Sequence, residues 1–396
     1  MSEEPNNRKL RVLVLAPHAF YIDRGTPIDV DILVRALTGA GHGVDLVVYA
    51  EGEDRGYEGL TIHRSRSPSG IGPGFSGKKL IADWFMFWRA MGLARKNRYD
   101  VVHAGEEAVF IAMVLRVLFG LPYVYDLDSS IAQQMVEKMA WLRPVAGVLN
   151  WIEARAIKGA LACAPVCNAL GDLARRRGAR FVEVVHDISQ IDPDAPVEPA
   201  GVRDRLGLAG PVFMYVGNLE AYQGVGLLLE GFAAARRAGT DADLVIAGGS
   251  RAHIDRYQEQ SERLGIGDRA HFLGPWPADR LGSLLAEADV LVAPRTKGIN
   301  TPMKIFPYMH SGKPVLLTKL PTHTQVLDGS EAYLAEATPV AFGRAIGELA
   351  NDSALRARLG AAGRAFVEAN HTYPAHRARV ERLYAYVGEA LQGGGR

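Results

Sequence analysis

Two short stretches set ionisable side chains where an apolar run gives way to a helix. In YDVVHAGEEA (99–108), His103 closes the run, and Glu106 and Glu107 follow at once. In VYDLDSS (124–130), Asp126 and Asp128 stand at the end of a similar run. Histidine and carboxylates are residue types that can move a proton or orient a hydroxyl. The same residue types have plainer uses. A paired acidic turn is also an ordinary solvated loop, and an aspartate ahead of Ser129 and Ser130 also suits a helix cap.

A second group has the makings of an anion site. MYVGNLEAYQGVGLLLEGF (214–232) reads as a strand, a tight glycine turn and an apolar helix, with Gly217 and Gly224 bounding the turn. Gly25-Thr26 stands at a comparable junction near the start of the chain. Backbone N–H groups and the helix dipole draw phosphate to such junctions, although glycines also serve simply to turn the chain. The turn GNLEAYQG contains no lysine or arginine; Asn218 and Gln223 are its neutral donors. Positive charge is available from Arg295 and Lys304 in VLVAPRTKGINTPMK, with Lys297 between them and Arg251 after Gly249 in AGGS. Each of these cations also fits a surface position without a specific contact. Thr301 and the turn Thr322-His323-Thr324 add uncharged donors.

The elements that must hold these residues follow from hydrophobic patterning. RVLVLAP (11–17) is a continuous β-branched and leucine run, as expected of a parallel strand covered on both faces. The loop after it becomes a helix, with Thr26 placed to cap it, Pro27 at its first position, and Gly39 or Gly41 at its end. VDLVVYA (44–50), YDVVHA (99–104), LPYVYDLD (121–128) and RFVEVVHD (180–187) predict further strands separated by helices. The proline-rich, acidic segment 187–208 reads as a linker. After it, VFMYVG, ADLVIAGG, RAHFLG, ADVLVAP and GKPVLLT repeat the pattern, and residues 340–394 are mostly helical with a break near Tyr373-Pro374. Alternating strands and helices predict an α/β chain of two tandem Rossmann-like domains. Ligands of such sheets sit outside the carboxyl ends of the strands, in a cleft between facing edges.

Composition narrows the class. The chain has 396 residues, 48% of them hydrophobic, enough for two sizeable cores. A net charge of +1 gives no global field for nucleic acid. Cys163 and Cys167, in ALACAPVCNAL, suit buried packing in a reducing cytoplasm better than a disulfide framework. The start, MSEEPNNRKL, lacks the basic and long apolar stretches of a signal peptide. The apolar segment 108–127 is interrupted by Arg116, Gly120, Pro122 and Asp126, too often for a membrane span. A cytoplasmic protein, at most peripheral to a membrane, is expected.

The stretches PVFMYVGNLEAYQGVGLLLEGF, LVIAGG, HFLGPWPADRLGSLLAEADVLVAPR and TPMKIFPYMHSGKPVLLT resemble, in order and spacing, the donor-binding domain of the family 4 glycosyltransferases. These retaining enzymes have the two-domain GT-B fold, and the resemblance covers nearly the whole chain. It implies an acceptor domain over residues 1–195, a donor-binding domain over 196–375, and a last helix, 376–396, crossing back to the first domain. It also implies transfer of a sugar from an activated donor, usually a nucleotide sugar, to an acceptor such as a lipid or polysaccharide precursor. No metal and no separate cofactor is expected. The resemblance brings His103, Glu107 and Asp126 forward as the catalytic, acceptor-side candidates; with the turns and cations above, the donor candidates are Gly25, Thr26, Gly217, Asn218, Gln223, Gly249, Arg295, Thr301 and Lys304.

Three stretches depart from the family pattern. Asn218 and Gln223 stand where an arginine and a lysine normally clamp the donor diphosphate. Pro307 replaces the glutamate that holds the nucleotide ribose, Ile299 falls where a first glutamate would be, and Gly105 replaces the second histidine of a His-x-His pair. A rebuilt site, a non-nucleotide sugar donor and a catalytically silent partner of another transferase all fit these departures. Finally, residues 77–98 (GKKLIADWFMFWRAMGLARKNR) combine basic and aromatic residues. That helix either faces a membrane or buries its tryptophans in the core.

Overall fold

The computed structural model describes residues 8–22, 25–71, 76–192, 194 and 198–393. The first seven residues and part of the proline-rich stretch, 193 and 195–197, lie outside them. The chain forms two compact units, Met1–Asp187 with Tyr373–Arg396, and Ile188–Thr372.

The first unit holds strands β1 (Arg11–Leu15), β2 (Gly43–Val48), β3 (Leu60–Arg64), β4 (Val101–Gly105), β5 (Tyr123–Leu127) and β6 (Ala162–Pro165). They form one parallel sheet in the order β3-β2-β1-β4-β5-β6. Helices α1 (Gly25–Gly39), α2 (Gly77–Lys96), α3 (Ala108–Phe119), α4 (Ile131–Lys138), α5 (Ala146–Gly159) and α6 (Asn168–Arg176) connect them, with a 3₁₀ segment at Ala140–Val145. Strands 1, 4 and 5 are buried along nearly their whole length, which is why they read as unbroken apolar runs.

The second unit repeats the plan. Its strands are β7 (Val212–Val216), β8 (Asp243–Ala247), β9 (Ala270–Gly274), β10 (Val290–Ala293), β11 (Val315–Thr318) and β12 (Tyr333–Ala335), in the order β12-β11-β10-β7-β8-β9. Helices α7 (Val202–Leu206), α8 (Val225–Arg237), α9 (Arg251–Arg263), α10 (Leu281–Ala286), α11 (Ile305–His310), α12 (Pro321–Thr324), α13 (Pro339–Asn351) and α14 (Ser353–Asn370) cover it. Close packing of α8 on α13 depends on small residues. A Cβ at Gly231 would overlap the Phe342 side chain, and one at Gly343 would crowd Ala234. The last helix, α15 (Tyr373–Gly393), belongs to the first unit. Its Val380, Leu383, Tyr384 and Val387 join the core made by α1 and strands 1 and 2.

Several local expectations are corrected. RFVEVVHD (180–187) is not a full strand; it meets β6 at a single bridge, Val182 to Cys163. The sixth place in the sheet goes to ACAP (162–165), whose small side chains are all buried. LTIHR and YLA form the edge strands β3 and β12, unremarked in the sequence because edge positions are only half-buried. Helix α1 begins at Gly25, so Thr26 lies inside its first turn rather than capping it, and Pro27 is not the first helical residue. Cys163 and Cys167 are free and buried.

The reading in which α2 buries its tryptophans in the core is corrected. Ala82, Met86 and Ala90 face the core, while Trp84 and Trp88 are each more than half exposed. Ser76 caps this helix by accepting from the Lys79 N–H at 3.2 Å.

Candidate active site

In both units strand order reverses beside the first strand, between β1 and β4 and between β7 and β10. Loops leaving the carboxyl ends diverge there and open a crevice.

In the second unit Gly217 leaves β7 with φ +147°, and Gly248 leaves β8 with φ +110°. A Cβ on Gly248 would overlap the Gly217 carbonyl, and one on Gly217 would overlap the Lys304 ammonium. These glycines thus let two backbone turns and Lys304 occupy one small space. The Lys304 ammonium donates to the Tyr215 hydroxyl at 2.8 Å and lies 4.2 Å from its ring centroid. The Tyr215 hydroxyl in turn donates to the Asn218 carbonyl at 2.5 Å. Burial, followed by the nearby Arg295 guanidinium, lowers the Lys304 pKa to about 7. Lys304 is thus a partly buried amine whose charge is disfavoured by its surroundings, with Tyr215 as its neighbour.

Arg295 is buried and used differently from a free phosphate clamp. Its guanidinium donates to the Lys297 carbonyl at 2.7 Å and to Asn300 Oδ1 at 3.1 Å, folding loop 295–300 around itself. Thr301 is buried, and its hydroxyl has no hydrogen-bond partner among the described residues. His323 is neutral, since burial lowers its pKa to about 4; its Nδ1 lies 2.8 Å from the Thr318 carbonyl. Thr322 donates to the Asn300 carbonyl at 2.7 Å. Gln223 is buried in the 3₁₀ turn Ala221–Gln223, whereas Asn218 is exposed and accepts from the Glu220 N–H at 3.3 Å. Gly249 takes φ +84° beside Leu219. Arg251 pairs with Asp255 on the surface of α9 at 2.9 Å, and Lys297 is exposed.

In the first unit His103, on β4, is buried between two partners from distant parts of the chain. Its Nδ1 lies 3.0 Å from the Tyr384 hydroxyl of α15; its Nε2 faces Asp126 Oδ2 at 3.3 Å without forming a hydrogen bond. Burial raises the Tyr384 pKa, so this hydroxyl keeps its proton. Donation from Tyr384 to Nδ1 would leave Nε2–H facing Asp126. Glu107 sits apart from this pair. The Lys79 ammonium bridges it at 2.7 Å and Glu106 at 3.0 Å. Burial, only partly offset by Lys79, brings the Glu107 pKa up to about 7. Thr26, His18 and Glu106, not Glu107, line the small space next to His103 and Asp126. Gly25 opens α1, where the first turn's N–H groups have no helical acceptor.

Residues overlooked in the sequence complete this site. A cavity of about 30 Å³ is lined by Asp29, His103, Asp126, Asp128, Asp187 and His376, among others. That is room for one or two waters. Asp29 and Asp187 hydrogen-bond to each other, and burial then mutual repulsion raises Asp29 well above the carboxylate range. Asp187 rises to about 7, mainly through burial. These residues come from α1, the segment after β6 and α15, which no local motif could group. Among the described residues no set of His, Cys, Asp and Glu is arranged to hold a metal ion.

The carboxyl pair has a consequence for stability. Between the unfolded pKa of about 4 and the folded value near 7, the native chain keeps a proton that the unfolded chain has lost. Stability therefore falls as pH rises through that window. Asp29→Asn is expected to flatten the fall when melting temperature is followed against pH. An unchanged profile would show that the two carboxyls do not share a proton.

Two Rossmann-like units of this order, with the terminal helix returning to the first, define the GT-B class. Residues 25–186 match the family model for the glycosyl transferase 4-like domain, and residues 210–352 that for glycosyl transferases group 1. The chain belongs to family 4 of the GT-B glycosyltransferases. It is 27% identical over 198 residues to an alpha-D-kanosaminyltransferase of Streptomyces kanamyceticus, covering 48% of this chain and 51% of that one. It is 30% identical over 210 residues to a GDP-mannose-dependent alpha-(1-6)-phosphatidylinositol monomannoside mannosyltransferase of Mycolicibacterium smegmatis, covering 51% and 54% respectively. The matches thus span about half the length of each of these two relatives. A structure of Anabaena HepE in complex with UDP superposes with a TM-score of 0.74 at 15% identity, over 94% of this chain and 99% of that one.

Proposed function

We propose that the protein transfers a sugar from a nucleotide-sugar donor to a hydroxyl of a lipid or polysaccharide precursor, with retention and without a metal ion. The carrying observation is Lys304 of the second unit, partly buried against the Gly217 turn at the carboxyl end of β7, with the unpartnered Thr301 hydroxyl three residues before it in the chain. Such a set can take a donor diphosphate although Asn218 and Gln223 are uncharged. In the transfer the bond from the anomeric carbon to the leaving phosphate oxygen breaks and one to the acceptor oxygen forms. The acceptor proton goes to the leaving phosphate. His103, oriented by Tyr384 through Nδ1, keeps Nε2 to orient the acceptor hydroxyl beside Asp126. The GDP-mannose dependence of one relative and the UDP bound to HepE support a nucleotide sugar. Localisation at the inner face of a membrane fits the same reading.

A thermal-shift panel of UDP-, GDP- and other nucleotide sugars, beside free sugar phosphates, tests this. A ligand at a hundredfold its Kd stabilises the native state by about 2.7 kcal/mol. One nucleotide sugar is expected to give that shift and then to be consumed when acceptors are supplied. Stabilisation by sugar phosphates alone would replace the donor class, and no shift at all would overturn the reading. Pro307, buried on α11 with no side-chain acceptor for a ribose, favours a second reading, a silent GT-B partner. Binding without turnover would select it.

A further inference from the structure

We infer that the outer face of α2, α3, the Ala140–Val145 segment and α5 docks on an anionic lipid bilayer. This deepens the glycosyl-transfer reading by naming the surface on which its acceptor is met. The four elements are neighbours: α2 packs on α3, α3 on α5, and α5 on the 3₁₀ segment. The three helices turn their inner residues, such as Met86, Leu115 and Ile157, into one shared core. Their outer residues have nothing to cover them within the unit. Four of the chain's five tryptophans, Trp84, Trp88, Trp141 and Trp151, are more than half exposed, Trp141 reaching 74%. Val117 of α3 is 82% exposed between them in sequence order, and Leu118 57%.

Charge selects the occupant. Lys78, Arg89, Arg95 and Lys96 on α2, Arg143 on the 3₁₀ segment and Arg155 on α5 are exposed. The acids of these four elements are Asp83 and Glu153, and neither contributes to the outer face. Asp83 accepts from the Tyr49 hydroxyl at 2.5 Å, and Glu153 is buried against Arg177. The face is therefore apolar and aromatic with positive charge only. A second copy of the same face would meet it with like charge, which disfavours self-association. Among the described residues no helix is long and apolar enough to cross a membrane. Tryptophans, aliphatics and a basic fringe, without acids, are what an interfacial surface presents to headgroups and the upper acyl region.

The test is flotation of the whole protein, without donor, on phosphatidylcholine vesicles with and without phosphatidylglycerol. Wild type is expected to float with the anionic vesicles, to be released by salt, and to shift its tryptophan emission to the blue. Two variants separate the contributions: Trp84→Ser with Trp151→Ser, and Lys78→Glu with Arg89→Glu. Both change exposed side chains, and unchanged melting curves will show that they fold. Each is expected to bind anionic vesicles at least about tenfold more weakly. Equal binding by wild type and both variants, no binding by wild type, or equal binding to both vesicle types would overturn the proposal. So would a concentration-dependent dimer that the tryptophan variant abolishes. Nucleotide-sugar binding is read separately, so its failure would sink the transfer reading and leave this one standing.

Discussion

Replacing Lys304 with methionine is expected to lower kcat/KM for the sugar donor by about a hundredfold, most of it through donor affinity. A charge-assisted hydrogen bond contributes about 1.5–3 kcal/mol, and more when water is excluded around the phosphate. Methionine keeps the length and the contact with Tyr215 but removes the charge. The pH dependence distinguishes this from simple packing loss. With its pKa lowered to about 7, Lys304 is charged below that pH and neutral above it in the free protein. A bound diphosphate favours the charged form, so binding takes up a proton at higher pH. Donor Kd is expected to stay level below pH 7 and to rise up to about tenfold per unit above it. In Lys304→Met the dependence disappears. Stability moves the other way. Between pH 7 and the ordinary lysine value of 10.5, the unfolded chain binds the extra proton, so Lys304 penalises the empty protein less as pH rises through that window. The methionine variant should accordingly melt higher than wild type at pH 6 to 7 while binding donor worse. Wild-type donor affinity in that variant would remove Lys304 from the site.

The second large effect is structural. Gly248→Ala is expected to destabilise the second unit by at least about 3 kcal/mol, because the new Cβ meets a backbone carbonyl that cannot step aside. The left-handed φ of +110° adds strain of its own. Gly249→Ala provides a graded comparison: its φ is +84°, but the atoms it would meet belong to the Leu219 side chain, which can move. Its cost should be smaller. Gly282→Ala on α10 meets nothing within 4 Å and should be neutral or slightly stabilising. Urea denaturation of the three proteins measures the order directly, and equal stabilities would show that the Gly217–Gly248 contact is not needed.

What the sequence disclosed follows from where its residues lie. Central strands such as RVLVL and VFMYV are covered on both faces, so burial alone writes them as apolar runs. The edge strand LTIHR is only half-buried and keeps polar residues, so the same criterion passes over it. RFVEVVHD shows the reverse error. Its β-branched residues look like a strand, but they lie alongside β6 and pair with it through one bridge. The placement of His103 and Asp126 toward the carboxyl ends of β4 and β5 was legible because both follow apolar runs, and ligands of doubly wound sheets sit beyond those ends. Arg295 was located as a cation, yet its loop consumes the guanidinium, a fact set by folding at 295–300 and invisible in composition. Glu107 was singled out for its place after His103, but Lys79 of α2 claims it. Asp29, Asp187 and His376 meet only in three dimensions.

The return of α15 to the first unit bears on how the molecule is made. Residues 1–187 leave the ribosome well before Tyr384 exists, so His103 waits through synthesis of the whole second unit for its hydroxyl partner. The second unit is in effect an insertion inside the first, entered at Asp187 and left at Thr372. A nascent or prematurely terminated chain therefore carries a recognisable sheet without a finished site. The hydroxyl that holds His103 comes from a segment translated only after the second unit.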